Sequence, residues 1–129
     1  MRKLIGGFSF LALFMFLADF AYSQLTFVNN TPCPVRVTGV ISTSATPCTL
    51  GPYCTATWIS VPAFSVGVLP APPCIGSSTI PPTFVRVGVQ TSTTFLGVSI
   101  CGSPSTTYTD CQGAPRTLTQ FSGSFAAIF

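Results

Sequence analysis

Residues 24–129 consist of short β-rich runs that Pro, Gly and Ser/Thr clusters interrupt, and they show no helical period. The chain contains 12 Pro and 11 Gly, residue types that mark turns and break strands. Short strands separated by such turn signals are typical of a β-sandwich. We therefore predict an all-β fold, a disulfide-stabilised antiparallel β-sandwich of about seven strands, near residues 25–29, 34–41, 55–61, 64–69, 84–90, 95–101 and 117–128.

The clearest two-residue alternation lies between residues 84 and 90. Side chains of a strand point alternately to opposite faces of its sheet. Val85, Val87 and Val89 therefore share one face, which we expect to be buried, and Arg86 and Gln90 share the other. The same argument places the even-numbered apolar residues of 96–100 toward the core.

The first 23 residues have the pattern of a secretory signal peptide. Arg2 and Lys3 form a positive start, an apolar run follows from residue 4 to residue 17, and Ala21-Tyr22-Ser23 supplies small residues before a cleavage site at Gln24. We predict that residues 1–23 are removed and that residues 24–129 form a single secreted β-sandwich domain, extracellular or on the cell surface. No transmembrane span is expected after removal.

Six cysteines follow the predicted cleavage site, at Cys33, Cys48, Cys54, Cys74, Cys101 and Cys111. An even number in a short secreted chain indicates three disulfides. Six cysteines allow 15 connectivities, and the sequence does not choose among them. Local closure favours Cys101–Cys111 and Cys48–Cys54, which would leave Cys33 with Cys74.

Charge is almost absent from residues 24–129, which contain three arginines, one aspartate and no Lys, Glu or His. Triad hydrolases need an imidazole and glycosidases need two carboxyl groups. A metal site needs His or CxxC ligands, and nucleic-acid binding needs clustered Lys and Arg. We therefore expect no catalytic residues, no metal or other cofactor and no nucleic-acid partner. We expect the 30 Ser and Thr residues to keep the surface soluble.

Three aromatic residues are candidate ligand contacts. Tyr53 and Tyr108 fall in predicted loops, where binding residues concentrate. Trp58 lies in the predicted strand 55–61, and burial is the commoner outcome for a Trp there. Aromatic rings beside neutral polar groups are compatible with carbohydrate binding, so these residues are candidates for glycan contact.

The last predicted strand alternates aromatic and small residues, with Phe121, Phe125 and Phe129 on one face. A strand of this kind could complete the core, or it could pair with another subunit because an exposed apolar strand is a template for strand addition. We take these three residues as a candidate assembly strand. On this hypothesis, deleting residues 121–129 should give a soluble monomer.

The segment Phe27-Val28-Asn29-Asn30-Thr31-Pro32-Cys33-Pro34-Val35 resembles small secreted Cys-containing β proteins of Bacteroidota. Most of these proteins have no assigned function, so the resemblance implies a fold and a location only. The same segment contains a formal N-glycosylation sequon at Asn29.

Two functions are compatible with these observations. The first is a secreted non-catalytic structural protein, a subunit of an extracellular filament or surface matrix that assembles with other copies of itself through β-strand contacts. Low net charge favours this role because it removes self-repulsion. The alternative is an adhesin-like module that binds glycans or cell-surface proteins through its loop aromatics.

Overall fold

A computed structural model describes residues 24–44, 46–49, 52–70 and 83–129. These residues contain no helix. Their ten strands are β1 (Gln24–Asn29), β2 (Val35–Ser42), β3 (Tyr53–Thr55), β4 (Ile59–Val61), β5 (Ser65–Pro70), β6 (Thr83–Gln90), β7 (Phe95–Ser99), β8 (Ser105–Thr109), β9 (Pro115–Ser122) and β10 (Phe125–Ile128). The predicted signal peptide, residues 1–23, lies outside the described residues.

The strands form two five-stranded sheets that pack together as a sandwich. Sheet A has the order β5-β1-β10-β9-β8, and sheet B has the order β3-β2-β6-β7, with β4 also paired to β2. Neighbouring strands are antiparallel except β1 and β10, which run parallel. The predicted disulfide-stabilised all-β sandwich is thus confirmed.

The core lies between the sheets and takes apolar side chains from both. Its fully buried members include Leu25, Phe27 and Leu118 from sheet A, and Ile41 and Phe84 from sheet B. The Phe84 ring lies against Gly39, where an added Cβ would approach ring carbon Cδ1 to 2.7 Å. Glycine at position 39 therefore makes room for the largest side chain of this part of the core.

The predicted alternation is confirmed at Val87 and Val89 of β6 and at Leu96 and Val98 of β7, whereas Ile100 is only half-buried in the turn after β7. Val85, Val87 and Val89 are buried, whereas Arg86 and Gln90 are exposed. A β-bulge adds one feature that the alternation does not predict. Val40 pairs with Arg86 and Ile41 pairs with Phe84, so Val85 is inserted in the ladder and Phe84 also turns inward.

Two predicted strands are each divided in the structure, and one strand was not predicted. The segment 55–61 is interrupted between β3 and β4, and the segment 117–128 forms the hairpin of β9 and β10. The additional strand, β8, is rich in Ser and Thr and has one large apolar residue, Tyr108. These differences account for ten strands where about seven were expected.

The predicted local disulfide pairings are wrong. Cys33 is bonded to Cys111, and Cys48 is bonded to Cys101. The bonds span 78 and 53 residues of sequence, respectively. They join loops that are distant in sequence and that the sandwich topology brings together. Assuming that nearby cysteines pair therefore gave the wrong partners. Cys54 is also disulfide-bonded, and Cys74 lies outside the described residues.

The connection between β1 and β2 is organised around Asn29, which is 1% exposed. Its amide nitrogen donates to the carbonyls of Cys33 at 2.9 Å and Pro62 at 3.0 Å. Its Oδ1 accepts from the Thr31 hydroxyl at 2.6 Å and from the Thr31 backbone N–H at 3.2 Å. In the folded protein the sequon at Asn29 is therefore a structural element and not an accessible glycosylation site.

Candidate functional site

The outer face of sheet B combines aromatic rings, arginines and glycines on adjacent strands. Strand alternation directs Arg36 and Thr38 of β2 outward, together with Arg86 and Gly88 of β6. On β7 it directs Phe95 outward, and the Phe95 ring is 58% exposed. These strands are neighbours in the sheet, so their outward side chains form one continuous surface.

Trp58 joins this surface because the edge of sheet B is interrupted between β3 and β4. The Ala56 N–H donates to the Gly39 carbonyl at 2.8 Å, and the Thr38 hydroxyl donates to the Ala56 carbonyl at 2.7 Å. Ala56 is buried and Ile59 packs against the core, which leaves Trp58 on the outer side. The interruption changes which residues of this segment point toward the core. Trp58 is therefore half-buried, whereas a continuous strand was expected to bury it.

The Trp58 indole is held by two neighbours on this face. The guanidinium carbon of Arg36 lies 5.3 Å from the indole centroid, within cation–π range. The Phe95 ring meets the indole edge-on, with centroids 5.9 Å apart. Both arrangements restrict the indole to one orientation beside the strands.

A cleft of about 300 Å³ lies between these groups. It is lined by Thr38, Gly39, Val40, Thr55, Trp58, Arg86, Gly88 and Phe95. An added Cβ at Gly88 would lie 3.1 Å from the Phe95 ring and 3.2 Å from the Thr38 methyl group. At Gly97 an added Cβ would lie 3.3 Å from the Arg86 Nη2. The two glycines thus leave space that any other residue would occupy.

The lining of the cleft is mostly apolar, with Arg86 as its charged side chain, and no acidic residue lines it among the residues that the structure describes. Asp110 supplies the one carboxyl side chain between residues 24 and 129, and its Oδ2 binds the Arg116 Nε at 2.7 Å. Within the described residues Arg36 therefore has only the Gln90 side chain as a hydrogen-bond partner, at 3.4 Å. Arg86 makes no salt bridge there.

Asp110 itself belongs to a structural turn. Its Oδ1 accepts from the N–H groups of Gln112 at 2.8 Å and Ala114 at 3.0 Å. The Arg116 hydrogen bond, aided by the Ala114 N–H, lowers the pKa of the Asp110 carboxyl. Both oxygens of this carboxylate accept hydrogen bonds from residues 112–116, next to the Cys33–Cys111 disulfide. The carboxylate faces no cavity that the structure describes.

A second notable surface lies on the opposite side of the sandwich, on the outer face of sheet A. The Phe121 ring lies 5.5 Å from that of Phe125 and 6.3 Å from that of Phe129. Phe121 is 56% exposed and Phe129 is 52% exposed. Val66 and Val68 of β5 are also exposed on this sheet. We call Phe121, Phe125 and Phe129 the aromatic cluster of sheet A.

The structure separates the three aromatic residues predicted as ligand contacts. Tyr53 lies in β3 and not in a loop, is 51% exposed, and donates its hydroxyl to the Pro47 carbonyl at 3.0 Å outside the cleft. Tyr108 lies in β8 of sheet A and packs against the core. Burial, and secondarily the charge of Asp110, raise the pKa of Tyr108. Only Trp58 of the three lines the cleft.

Sequence reasoning missed Phe95 and Arg86 as cleft residues. The alternation of residues 96–100, which we used to predict core residues, also predicts which residues point away from the core. If Leu96 and Val98 face inward, then Phe95 and Gly97 face outward beside Arg86 and Gly88. An exposed aromatic residue next to outward glycines indicates a cleft.

Among the described residues, no group of three or more His, Cys, Asp or Glu side chains is arranged to hold a metal ion. No helix in that part of the chain has the length and hydropathy needed to cross a membrane. No protein-family model, curated protein or solved structure matches the chain.

Proposed function

We propose that the protein is a secreted, non-catalytic structural protein that assembles with other copies of itself through the outer face of sheet A. The observation that carries the proposal is the exposed aromatic cluster of Phe121, Phe125 and Phe129. Two long-range disulfides suit an oxidising, extracellular compartment.

Exposed aromatic rings at this density favour association. Burying one large apolar side chain stabilises a contact by about 1.5–3 kcal/mol, and aromatic residues are enriched where binding energy concentrates. The Phe121 ring contacts both other rings, so the cluster loses little side-chain freedom on binding. Val66 and Val68 extend the apolar surface toward the β5 edge of the sheet.

The charge distribution does not oppose contact between identical faces. Arg36 and Arg86 lie on the outer face of sheet B, and Asp110 pairs with Arg116 at the start of β9. Among the described residues, the one charged side chain on a strand of sheet A is therefore Arg116, which is paired with Asp110. Two such faces can approach without like-charge repulsion.

Contact through this face differs from addition of the C-terminal strand to another subunit. β10 is hydrogen-bonded to β1 on one side and to β9 on the other. Its backbone groups are thus already paired, and its aromatic side chains are the part available to a neighbour. We propose packing of side chains against side chains, with further growth at the sheet edges β5 and β8.

Sedimentation equilibrium of the oxidised protein, with electron microscopy of concentrated samples, tests this function. We expect the wild type to self-associate and the variant Phe121→Ser/Phe129→Ser to associate at least about tenfold more weakly, since two aromatic contacts are lost. The matched control is Tyr53→Ser, which removes an equally exposed ring from sheet B and should associate like the wild type. A monomeric wild type at high concentration, or a double variant that associates normally, would contradict the proposal.

A further inference from the structure

We propose that the cleft on the outer face of sheet B binds a carboxylate group carried on a six-membered ring, such as an acidic sugar residue at the end of a glycan. This inference goes beyond the proposed assembly function and concerns the opposite side of the sandwich. It rests on three properties of the cleft: its arginines, its aromatic walls and its volume.

The arginines select an anion. Arg86 lines the cleft, and Arg36 is not among the lining residues but lies against Trp58, which is one of them. Neither forms a salt bridge among the described residues, since Asp110 is bound to Arg116. A guanidinium group presents a planar fork of N–H donors that matches a carboxylate in two parallel hydrogen bonds. An incoming carboxylate would therefore meet a donor group that has no competing acid.

The walls select a ring beside that carboxylate. Trp58 and Phe95 supply apolar surface in the same cleft as Arg86, and Val40 adds an aliphatic side chain to its lining. A pyranose ring has an apolar face of C–H groups, and an aromatic ring is apolar on both faces, so each can pack against such walls. A short acid such as acetate would reach Arg86 but leave these walls uncovered.

The volume limits the ligand to about one ring. A cleft of about 300 Å³ lies at the lower end of the range for small-molecule sites. Gly88 creates much of this space, because a Cβ there would press against Phe95 and Thr38. The cleft therefore suits a terminal residue and does not enclose an extended chain.

The balance of donors and acceptors argues against a neutral sugar. Arginine donates hydrogen bonds and accepts none, and the Thr38 hydroxyl already donates to the Ala56 carbonyl. A neutral sugar brings no anion to the guanidinium and so cannot form the charge-assisted hydrogen bonds that a carboxylate forms. A carboxylate presents only acceptors and matches the N–H donors of Arg86.

Isothermal titration calorimetry of the oxidised wild-type protein tests the proposal with three probes. These are a glucuronic-acid-terminated oligosaccharide, its glucose-terminated counterpart and benzoate. We expect the glucuronate probe to bind at least about tenfold more tightly than the glucose probe, because only the former forms charge-assisted hydrogen bonds. If only benzoate binds, the ligand is still a carboxylate on a six-membered ring, but it is an aromatic acid and not an acidic sugar. Equal binding of the two oligosaccharides, or no binding of any probe, would overturn the proposal.

Variants locate the binding. Arg86→Gln should weaken binding at least about tenfold. Gly88→Val should abolish it by filling the cleft, with near-ultraviolet circular dichroism to show that the fold is kept. The control Phe64→Ala removes a ring that is 68% exposed outside the cleft and should leave the affinity unchanged. Unchanged binding by Arg86→Gln would refute the site. The variant Phe121→Ser/Phe129→Ser should bind like the wild type, so failure of assembly and failure of ligand binding can be told apart.

Discussion

Asp110 makes the acid stability of residues 24–129 depend on one side chain. Its hydrogen bonds to Arg116 and to the Ala114 N–H lower the pKa of its carboxyl. A carboxyl with a lowered folded-state pKa stabilises the fold above its unfolded pKa of about 3.9. This contribution disappears as the pH falls through the lower folded-state pKa.

We therefore expect the free energy of unfolding of the wild type to decrease as the pH falls below about 4. Asp110→Asn should be less stable than the wild type at pH 7 and should lack most of this acid dependence. Urea unfolding between pH 2 and pH 7 measures both effects. Arg86→Gln, which removes a charge that forms no salt bridge within the described part of the chain, should keep the wild-type profile. An unchanged acid dependence in Asp110→Asn would contradict this assignment.

Asn29 provides a second prediction, because one buried amide holds two separate connections together. Its side chain binds the Cys33 and Pro62 carbonyls and Thr31. Asn29→Ala leaves these buried groups without partners, and we expect a loss of about 2–3 kcal/mol in the free energy of unfolding. The neighbouring Asn30 is exposed, so Asn30→Ala should change it by less than about 0.5 kcal/mol. If Asn29→Ala and Asn30→Ala change the free energy of unfolding equally in chemical denaturation, the hydrogen bonds of Asn29 contribute little to stability.

At the scale of the element, β10 is an interior strand and not an appendage. Its Ala126 and Ile128 are fully buried, and it pairs with β1 and β9. The sequence-based expectation that deleting residues 121–129 yields a soluble monomer does not fit this position. Removal of β10 would expose the core and leave two strands unpaired.

We expect deletion of residues 123–129 to abolish cooperative thermal unfolding and produce aggregated protein. By contrast, Phe121→Ser/Phe129→Ser changes only exposed rings and should keep a cooperative transition close to that of the wild type. Differential scanning calorimetry, with the two proteins refolded under the same oxidising conditions, makes the comparison. A deletion variant that melts cooperatively would show that β10 is dispensable, and strand donation would again be a credible mode of assembly.

The sequence predicted the elements whose pattern is purely local. The alternation of β6 and β7 predicts which of their residues are buried, and both strands have the predicted faces. The segments 55–61 and 117–128 were each predicted as one strand, but each forms parts of two strands. Local sequence could not predict this because each interruption depends on contacts with another strand. Ala56 hydrogen-bonds to Gly39 of β2, and the Gly123 carbonyl accepts from the Phe84 N–H. Trp58 was therefore expected inside a strand and was found beside a cleft.

Pairing of the cysteines was unpredictable for a related reason. Both characterised disulfides connect loops far apart in sequence, and their proximity follows from the order of strands across two sheets. The three Phe residues, in contrast, were predicted on one face and do form a cluster. They reach that face from both arms of a hairpin, because the inserted Phe121 lies at the irregular register between β9 and β10.

The whole molecule presents two outer faces of different chemistry. Among the described residues, sheet A offers exposed aromatic and aliphatic side chains, with Arg116 paired to Asp110 as its one charged side chain, and sheet B offers a cleft lined by Arg86. A protein that displays one face while it packs through the other can assemble and still bind a ligand. The proposed assembly and the proposed ligand site are therefore compatible in one particle.

The two faces should respond differently to salt. Apolar association is strengthened by sulfate, which is excluded from protein surfaces, and is nearly unaffected by NaCl. Binding of a carboxylate to exposed arginines is screened as ionic strength rises. Between 20 and 500 mM NaCl we expect the glucuronate affinity to fall several-fold while the self-association constant changes by less than about twofold. Sedimentation equilibrium and calorimetry on the same samples provide both values. If NaCl dissociates the assemblies, charged groups hold the copies together and the contact does not lie on the outer face of sheet A.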